Sequence, residues 1–205
     1  MDAIVITHPH YDHIGGIPEF YRVQKKLDIH TTDLTGEIIS SMFSFMKLNI
    51  NRVEFFKPFE IFGVEYTLFP VDHPPLKESA GVILRYEGSK IVFTGDTSSK
   101  LSDEVIELIR SPDLLIADAI HPTLSFNKHM NANEAFELSK RIDAKETLFI
   151  HMSHLYPPHA VASKKYPLSY DGMRIAVENG EVIIGESVQK AVWDFGLEKK
   201  RSSTF

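Results

Sequence analysis

The segment Thr7-His8-Pro9-His10-Tyr11-Asp12-His13-Ile14-Gly15-Gly16 sets four metal-binding side chains, His8, His10, Asp12 and His13, almost side by side. In extended backbone, residues i and i+2 point the same way, so His8 and His10 share a face. Asp12 and His13 swing inward where the chain turns. The apolar run Ala3-Ile4-Val5-Ile6 reads as a buried strand ending just before the cluster. Gly15 and Gly16 permit a tight path, and Pro18 suits the first turn of a helix over residues 19–26. Ligands on a strand end and on the turn after it converge on one volume. Neutral imidazole and carboxylate suit zinc, manganese and ferrous iron alike. Two such cations about 3.5–4 Å apart share a hydroxide, bring the pKa of water toward neutrality and polarise a scissile phosphoryl or carbonyl group. Hydrolysis then needs no Ser or Cys nucleophile.

Three further strand ends carry ligand types. His73 follows Leu68-Phe69-Pro70-Val71-Asp72, Asp96 follows Ile91-Val92-Phe93-Thr94-Gly95, and His151 follows Thr147-Leu148-Phe149-Ile150. Singly, each is an ordinary loop residue. With the first cluster they make seven nitrogen and oxygen ligands at strand ends: His8, His10, Asp12, His13, His73, Asp96 and His151. His154 is the alternative to His151, which is preferred because it sits at the end of its strand. His30 and His159 read as structural or exposed, and His121 has no assigned role. Phe43, Phe45, Met46 and Phe126 read as core or contact residues before pocket walls.

These residues must be held by a framework, and the chain is long enough to build one. It has 205 residues, 43% hydrophobic and 24% charged, ordinary values for a globular domain. It has no cysteine, so any metal sits on nitrogen and oxygen, without a disulfide framework or thiolate cage. A net charge of -6 argues against a broad nucleic-acid surface. No apolar run approaches the roughly 20 residues that span a bilayer, and no secretory signal opens the chain, so a cytoplasmic location is expected. Apolar spacing gives helices over residues 19–26, 34–48, 102–110 and 133–142, the last capped by Asn131 or Asn133. Strands are expected over residues 4–7, 29–31, 52–55, 65–69, 81–86, 90–94, 114–117, 147–150 and 182–184. Glu87-Gly88-Ser89 marks a hairpin. The alternation suggests α/β layering in a single domain, 1–205. The charged end, Glu198-Lys199-Lys200-Arg201, reads as a frayed tail or a docking strand.

With these motifs in order, the chain resembles the metallo-β-lactamase superfamily: residues 7–16 match its HxHxDH signature, and His73, Gly95-Asp96-Thr97 and His151 follow in the family's sequence. The resemblance implies a four-layer αββα sandwich. It implies that His8, His10 and His73 hold one divalent cation, that Asp12, His13 and His151 hold a second, and that Asp96 bridges them. A finer resemblance covers residues 118–154. Ala119-Ile120-His121-Pro122, His129-Met130-Asn131-Ala132-Asn133-Glu134-Ala135 and the strand ending in His151-Met152-Ser153-His154 look like the phosphodiesterase side of the superfamily. This side comprises the cyclic-phosphate diesterases of phosphonate metabolism and, more distantly, ribonuclease Z. Tyr170-Asp171-Gly172-Met173 is similar to the closing segment of the former. By that likeness His129 contacts the phosphoryl group; the plainer alternative is a residue flanking the helix. Asp12 and His129 are thus the expected catalytic residues, with Asp12 both ligating and orienting the hydroxide.

The implied reaction is cleavage of a phosphodiester by hydroxide held between two cations, zinc or manganese, with iron a third option. Thioester, lactone or β-lactam hydrolysis is the alternative, followed by a non-catalytic metal-binding domain and a mononuclear iron oxygenase. Family members carry several strands before HxHxDH, and here there is one, so the first sheet is expected to be shortened. A fragment or late start, completion of the sheet by another copy, and a natural minimal form all fit. No long substrate arm of the ribonuclease Z kind is evident. The expected partners are a small phosphodiester substrate and a second copy of the chain. Nucleic acid is less favoured, and no membrane contact is expected.

Overall fold

The computed structural model describes residues 3–24, 26–178 and 180–185. The smaller sheet holds three parallel strands in the order β1 (Ala3–Val5), β2 (Asp28–Thr31), β3 (Asn49–Arg52). Helices α1 (Tyr11–Ile14) and α2 (Ile17–Val23) join β1 to β2, and α3 (Asp33–Met42) joins β2 to β3. The larger sheet begins as an antiparallel meander of β4 (Pro58–Ile61), β5 (Val64–Pro70), β6 (Ala80–Tyr86) and β7 (Ser89–Phe93). It continues in parallel with β8 (Leu114–Asp118) and β9 (Glu146–Ile150), through crossover helices α4 (Asp103–Ile109) and α5 (Ala132–Arg141). Short α6 (His159–Ala162) and a separate hairpin, β10 (Arg174–Glu178) and β11 (Glu181–Gly185), follow.

Strand alternation sorts the apolar side chains into the interfaces of four layers. Phe69, Ile83, Val92 and Phe149 leave the larger sheet on the side of α4 and α5, where Val105, Ile109 and Leu138 meet them. Their sequence neighbours Leu68 and Val82 face the other way, toward Val5 and Val53. Ile6 and Ile29 cover the outer side of the smaller sheet with Ile14, Ile17, Ile39 and Phe43. Each such side chain, fully buried, contributes about 1.5–3 kcal/mol. One close approach needs glycine: a Cβ on Gly81 would lie 2.2 Å from the Phe69 ring. The expected αββα layering is present, with three strands in the first sheet against six in the second.

Several expected boundaries need correction. The helix expected over residues 34–48 ends at Met42. Phe43 leaves helical geometry to bury itself among Ile14, Ile17 and Ile39, and Met46 and Leu48 pack there from a turn. The strand expected at 52–55 lies at Asn49–Arg52, because Ile50 pairs with Ile29 and Arg52 with Thr31. Val53 and Phe55 are apolar because they fill the space between the sheets. The short edge strand β4, which starts at a proline as edge strands tolerate, was not expected, and neither were β10, α1 and α6. The hairpin at Glu87-Gly88 is present, with φ of 45° and 81°. Asn131, not Asn133, caps α5. The charged segment at 198–201 lies outside the described residues.

Candidate metal centre

Every residue of the seven follows the carboxyl end of a strand. His8, His10, Asp12 and His13 follow β1, His73 follows β5, Asp96 follows β7 and His151 follows β9. Two local devices bring these ends together. Gly95 has φ of 60°, and a Cβ there would lie 2.6 Å from the Ala80 carbonyl oxygen and against Thr7. Glycine therefore lets the Asp96 turn sit directly on the end of β1. The Ser98 amide donates to the Asp72 carbonyl at 2.7 Å, and the Ser98 hydroxyl bonds the Asp72 carboxylate, tying the His73 loop to the Asp96 loop. His151 itself has φ of 60°. A side chain held in the left-handed region beside other functional groups is strain kept for position.

The side chains form two groups that meet at one atom. His8, His10, His73 and Asp96 make the first group, and Asp12, His13, Asp96 and His151 the second. In the first, His8 Nε2 and His73 Nε2 each lie 3.1 Å from His10 Nδ1. Asp96 Oδ2 stands 3.6 Å from His8 Nε2 and 3.9 Å from His73 Nε2. In the second, the same Oδ2 is 3.3 Å from both His13 Nε2 and His151 Nε2. Asp12 Oδ2 is 3.4 Å from His13 and 3.5 Å from His151. A tetrahedron with nitrogen ligands about 2.0–2.1 Å from its centre has edges of about 3.3 Å. Both groups approximate such tetrahedra and share the Asp96 vertex.

The donor set fits a cation for a chemical reason. In the first group several imidazole nitrogens face one another with too few protons to link them, and in the second His13 Nε2 is buried without a hydrogen-bond partner. The outer nitrogens of His8 and His73 are fixed by neighbours, as ligand imidazoles require. His8 Nδ1 bonds the Thr7 hydroxyl at 3.1 Å, and His73 Nδ1 donates to the Lys128 carbonyl at 2.8 Å. Burial pushes His8 down to about 3, and lowers His10 and His73 too, keeping them in the neutral form that binds metal. Burial alone would raise Asp96, but His13 and His151 outweigh it and hold the carboxyl at about 2.

A further pair lies against this cage. His129, 5% exposed, stacks on His151 with ring centres 4.9 Å apart and meets the His73 ring edge-on at 4.8 Å. Its Nδ1 is 2.8 Å from Asp118 Oδ2. Asp118 ends β8, is fully buried, and accepts from the Thr97 amide at 3.0 Å. Its other oxygen, Oδ1, is 3.8 Å from His151 Nδ1, and neither atom has a hydrogen-bond partner. Burial, reinforced by the Asp96 charge, pushes Asp118 up to about 8, while burial lowers His129. The sequence reading missed Asp118; the signal was a polar residue closing the apolar strand Leu114-Leu115-Ile116-Ala117, the pattern that marked His151.

The remaining histidines are elsewhere. His154 is exposed in a turn and joins neither group. His121 Nδ1 accepts the Thr123 and Leu124 amides, His30 stacks on Phe59, and His159 Nε2 bonds the Ser169 carbonyl. No helix among the described residues is long and apolar enough to cross a membrane.

Comparison with known proteins agrees with this geometry. The probable RNase MJ4 of Methanocaldococcus jannaschii is 27% identical over 192 residues, covering 78% of this chain and 42% of that protein. An octanoyltransferase of Porphyromonas gingivalis is 22% identical over 194 residues, covering 87% of this chain and 38% of that protein. The chain thus spans about two-fifths of the length of these relatives. The crystal structure of a diphosphatase from the PhnP family superposes with a TM-score of 0.74 at 26% identity, covering 87% of this chain and 72% of that one. The profile of the beta-lactamase superfamily domain matches residues 1–152, a span that takes in every side chain of both ligand groups. With four layers, an HxHxDH turn and two ligand groups joined at one aspartate, the chain belongs to the metallo-β-lactamase superfamily.

Proposed function

We propose that this chain is a metal-dependent hydrolase that cleaves a phosphodiester, with Asp12, His13, His151, His8, His10 and His73 holding two divalent cations that share Asp96. Zinc or manganese suits these donors, with iron the third option. Divalent cations held by these residues would lower the pKa of water and polarise the phosphoryl group as Lewis acids. The observation that carries the reading is the Asp118–His129 pair packed against the ligand cage. An alkoxide leaving group needs a proton, whereas a thiolate does not, so a buried aspartate–imidazole pair beside the cage favours an oxygen ester over a thioester. Asp118 fixes Nδ1 of His129, leaving Nε2 to donate to the leaving oxygen or to a non-bridging phosphoryl oxygen. Asp12, the most exposed of the carboxylates, orients water on the open side. The likeness to the diphosphatase and to the probable RNase supports phosphoryl chemistry. A cytoplasmic location belongs to the same reading.

The test is turnover of bis(p-nitrophenyl) phosphate by protein loaded with zinc or manganese, beside a His10→Ala control. Release of nitrophenol well above the control is expected. Metal-loaded protein with no excess over that control, or with a preference for p-nitrophenyl acyl esters, would overturn the assignment.

A further inference from the structure

The hairpin of β10 and β11 is a sheet of its own, outside the four layers. Its register sets Ile175 opposite Ile184 and Val177 opposite Val182. Residues paired in this way share a face, so these four make one wholly apolar side of the ribbon. None of them belongs to the three apolar clusters of the molecule. Ile175, Val177 and Val182 are only half-buried, and Ile184 is 50% exposed. A two-stranded ribbon is marginal in water without a third strand or a helix against it. The other side carries Glu178 opposite Glu181, like charges in register, which repel. Glu87 lines the same cleft as Glu178, between the hairpin and the turn from β6 to β7. Lys145 reaches the Gly180 carbonyl at 3.5 Å, but its ion pair is with Asp113 at 2.6 Å. Neither Glu178 nor Glu181 forms an ion pair among the described residues.

The residues that follow have a matching composition. The Tyr170 hydroxyl donates to the Gly185 carbonyl at 3.4 Å, so the chain leaves the hairpin at the Ile175–Ile184 end of its apolar side. Beyond it come Val188, Ala191, Val192, Trp193, Phe195 and Leu197, then Lys199, Lys200 and Arg201. At helical spacing Val188, Ala191, Val192 and Phe195 fall on one side; at strand spacing Ala191, Trp193, Phe195 and Leu197 do. The strands of the ribbon are about 17 Å long. Residues 186–197 span about 18 Å even at helical rise. Running back along the ribbon, such a segment covers its length and brings its three cations to the Glu178–Glu181 end.

We propose that the apolar side of this hairpin is the docking surface for residues 188–197 of the same chain, whose side chains cover Ile175, Val177, Val182 and Ile184. No residue of the metal centre takes part, and activity toward phosphodiesters does not enter the test. Trp193 is the one tryptophan of the sequence, so its fluorescence reads the docking directly. In the 205-residue chain its emission should lie to the blue of N-acetyltryptophanamide and resist acrylamide quenching, equally at low and high protein concentration. Ile184→Asp should move the emission toward that of the free amide and raise the quenching. Val23→Asp, the same kind of change at an exposed valine of α2, should leave both as they were. If Ile184→Asp does not fold, Phe195→Asp breaks the contact from the other side without touching the described strands, and the same shift is expected. An emission at the free-amide position in the unsubstituted chain, or a blue emission that survives the substitution, overturns the proposal. A blue emission lost on dilution to a monomer overturns it too, because a second copy is then the cover.

Discussion

Asp96 and Asp118 are both buried aspartates at strand ends, and their neighbours give them opposite characters. Imidazoles surround Asp96 and hold it ionised, whereas Asp118 is raised to about 8 by burial and by Asp96 itself. Substituting them should therefore separate two functions. Asp96→Asn is expected to strip metal from both groups, read by elemental analysis, because its Oδ2 is common to them. Asp118→Asn should retain most of the metal while lowering kcat about a hundredfold, since it leaves the cage but disturbs the proton on His129. Full metal content in the first variant, or full activity in the second, contradicts the assigned roles. The seven residues were legible in the sequence because histidines and aspartates at strand ends are uncommon in combination. Asp118 was not, because one aspartate after an apolar strand is indistinguishable from a turn residue until the fold sets His129 beside it.

Asn131 joins helix, loop and site. Its side-chain oxygen accepts the Asn133 and Glu134 amides, Glu134 returns the bond to the Asn131 amide, and its Nδ2 holds the loop that carries Lys128 and His129. Asn131→Ala should cost about 1–2 kcal/mol in urea unfolding. It should also lower kcat by more than a surface change on α5 such as Glu137→Gln, and equal kinetics for the two would show that the loop needs no such anchor. The sequence left this cap open between Asn131 and Asn133, and the structure places the capping box at Asn131 and Glu134. Elements governed by tertiary packing were harder to read. The two-residue turn Phe62-Gly63 joins β4 to β5 with φ of 50° and 82°, a hairpin geometry that phenylalanine does not announce. The end of α3 is set by the burial of Phe43, which continues the helical spacing and yet leaves the helix.

The two sheets are unequal, and the imbalance shows between them. β1 pairs only with β2 among the described residues, and Val5, Val53, Phe55, Phe59, Tyr66, Leu84 and Phe93 are only partly buried between the sheets. We propose that a second copy covers this edge, since an open parallel strand beside half-covered apolar side chains favours pairing. Light scattering should give twice the chain mass, and Val5→Lys should shift it to a monomer; a monomer at every concentration removes the idea. The smaller first sheet was foreseeable from the single strand ahead of His8, whereas the order and pairing of strands in the second sheet were not, because pairing depends on contacts between segments far apart in the chain. That distance also sets an order of construction. His8, His10, His73 and Asp96 have all been synthesised once residue 96 is added, while the other group must wait for His151. During synthesis, one seat for a cation gains its last member long before its neighbour does, and the centre is built from one side.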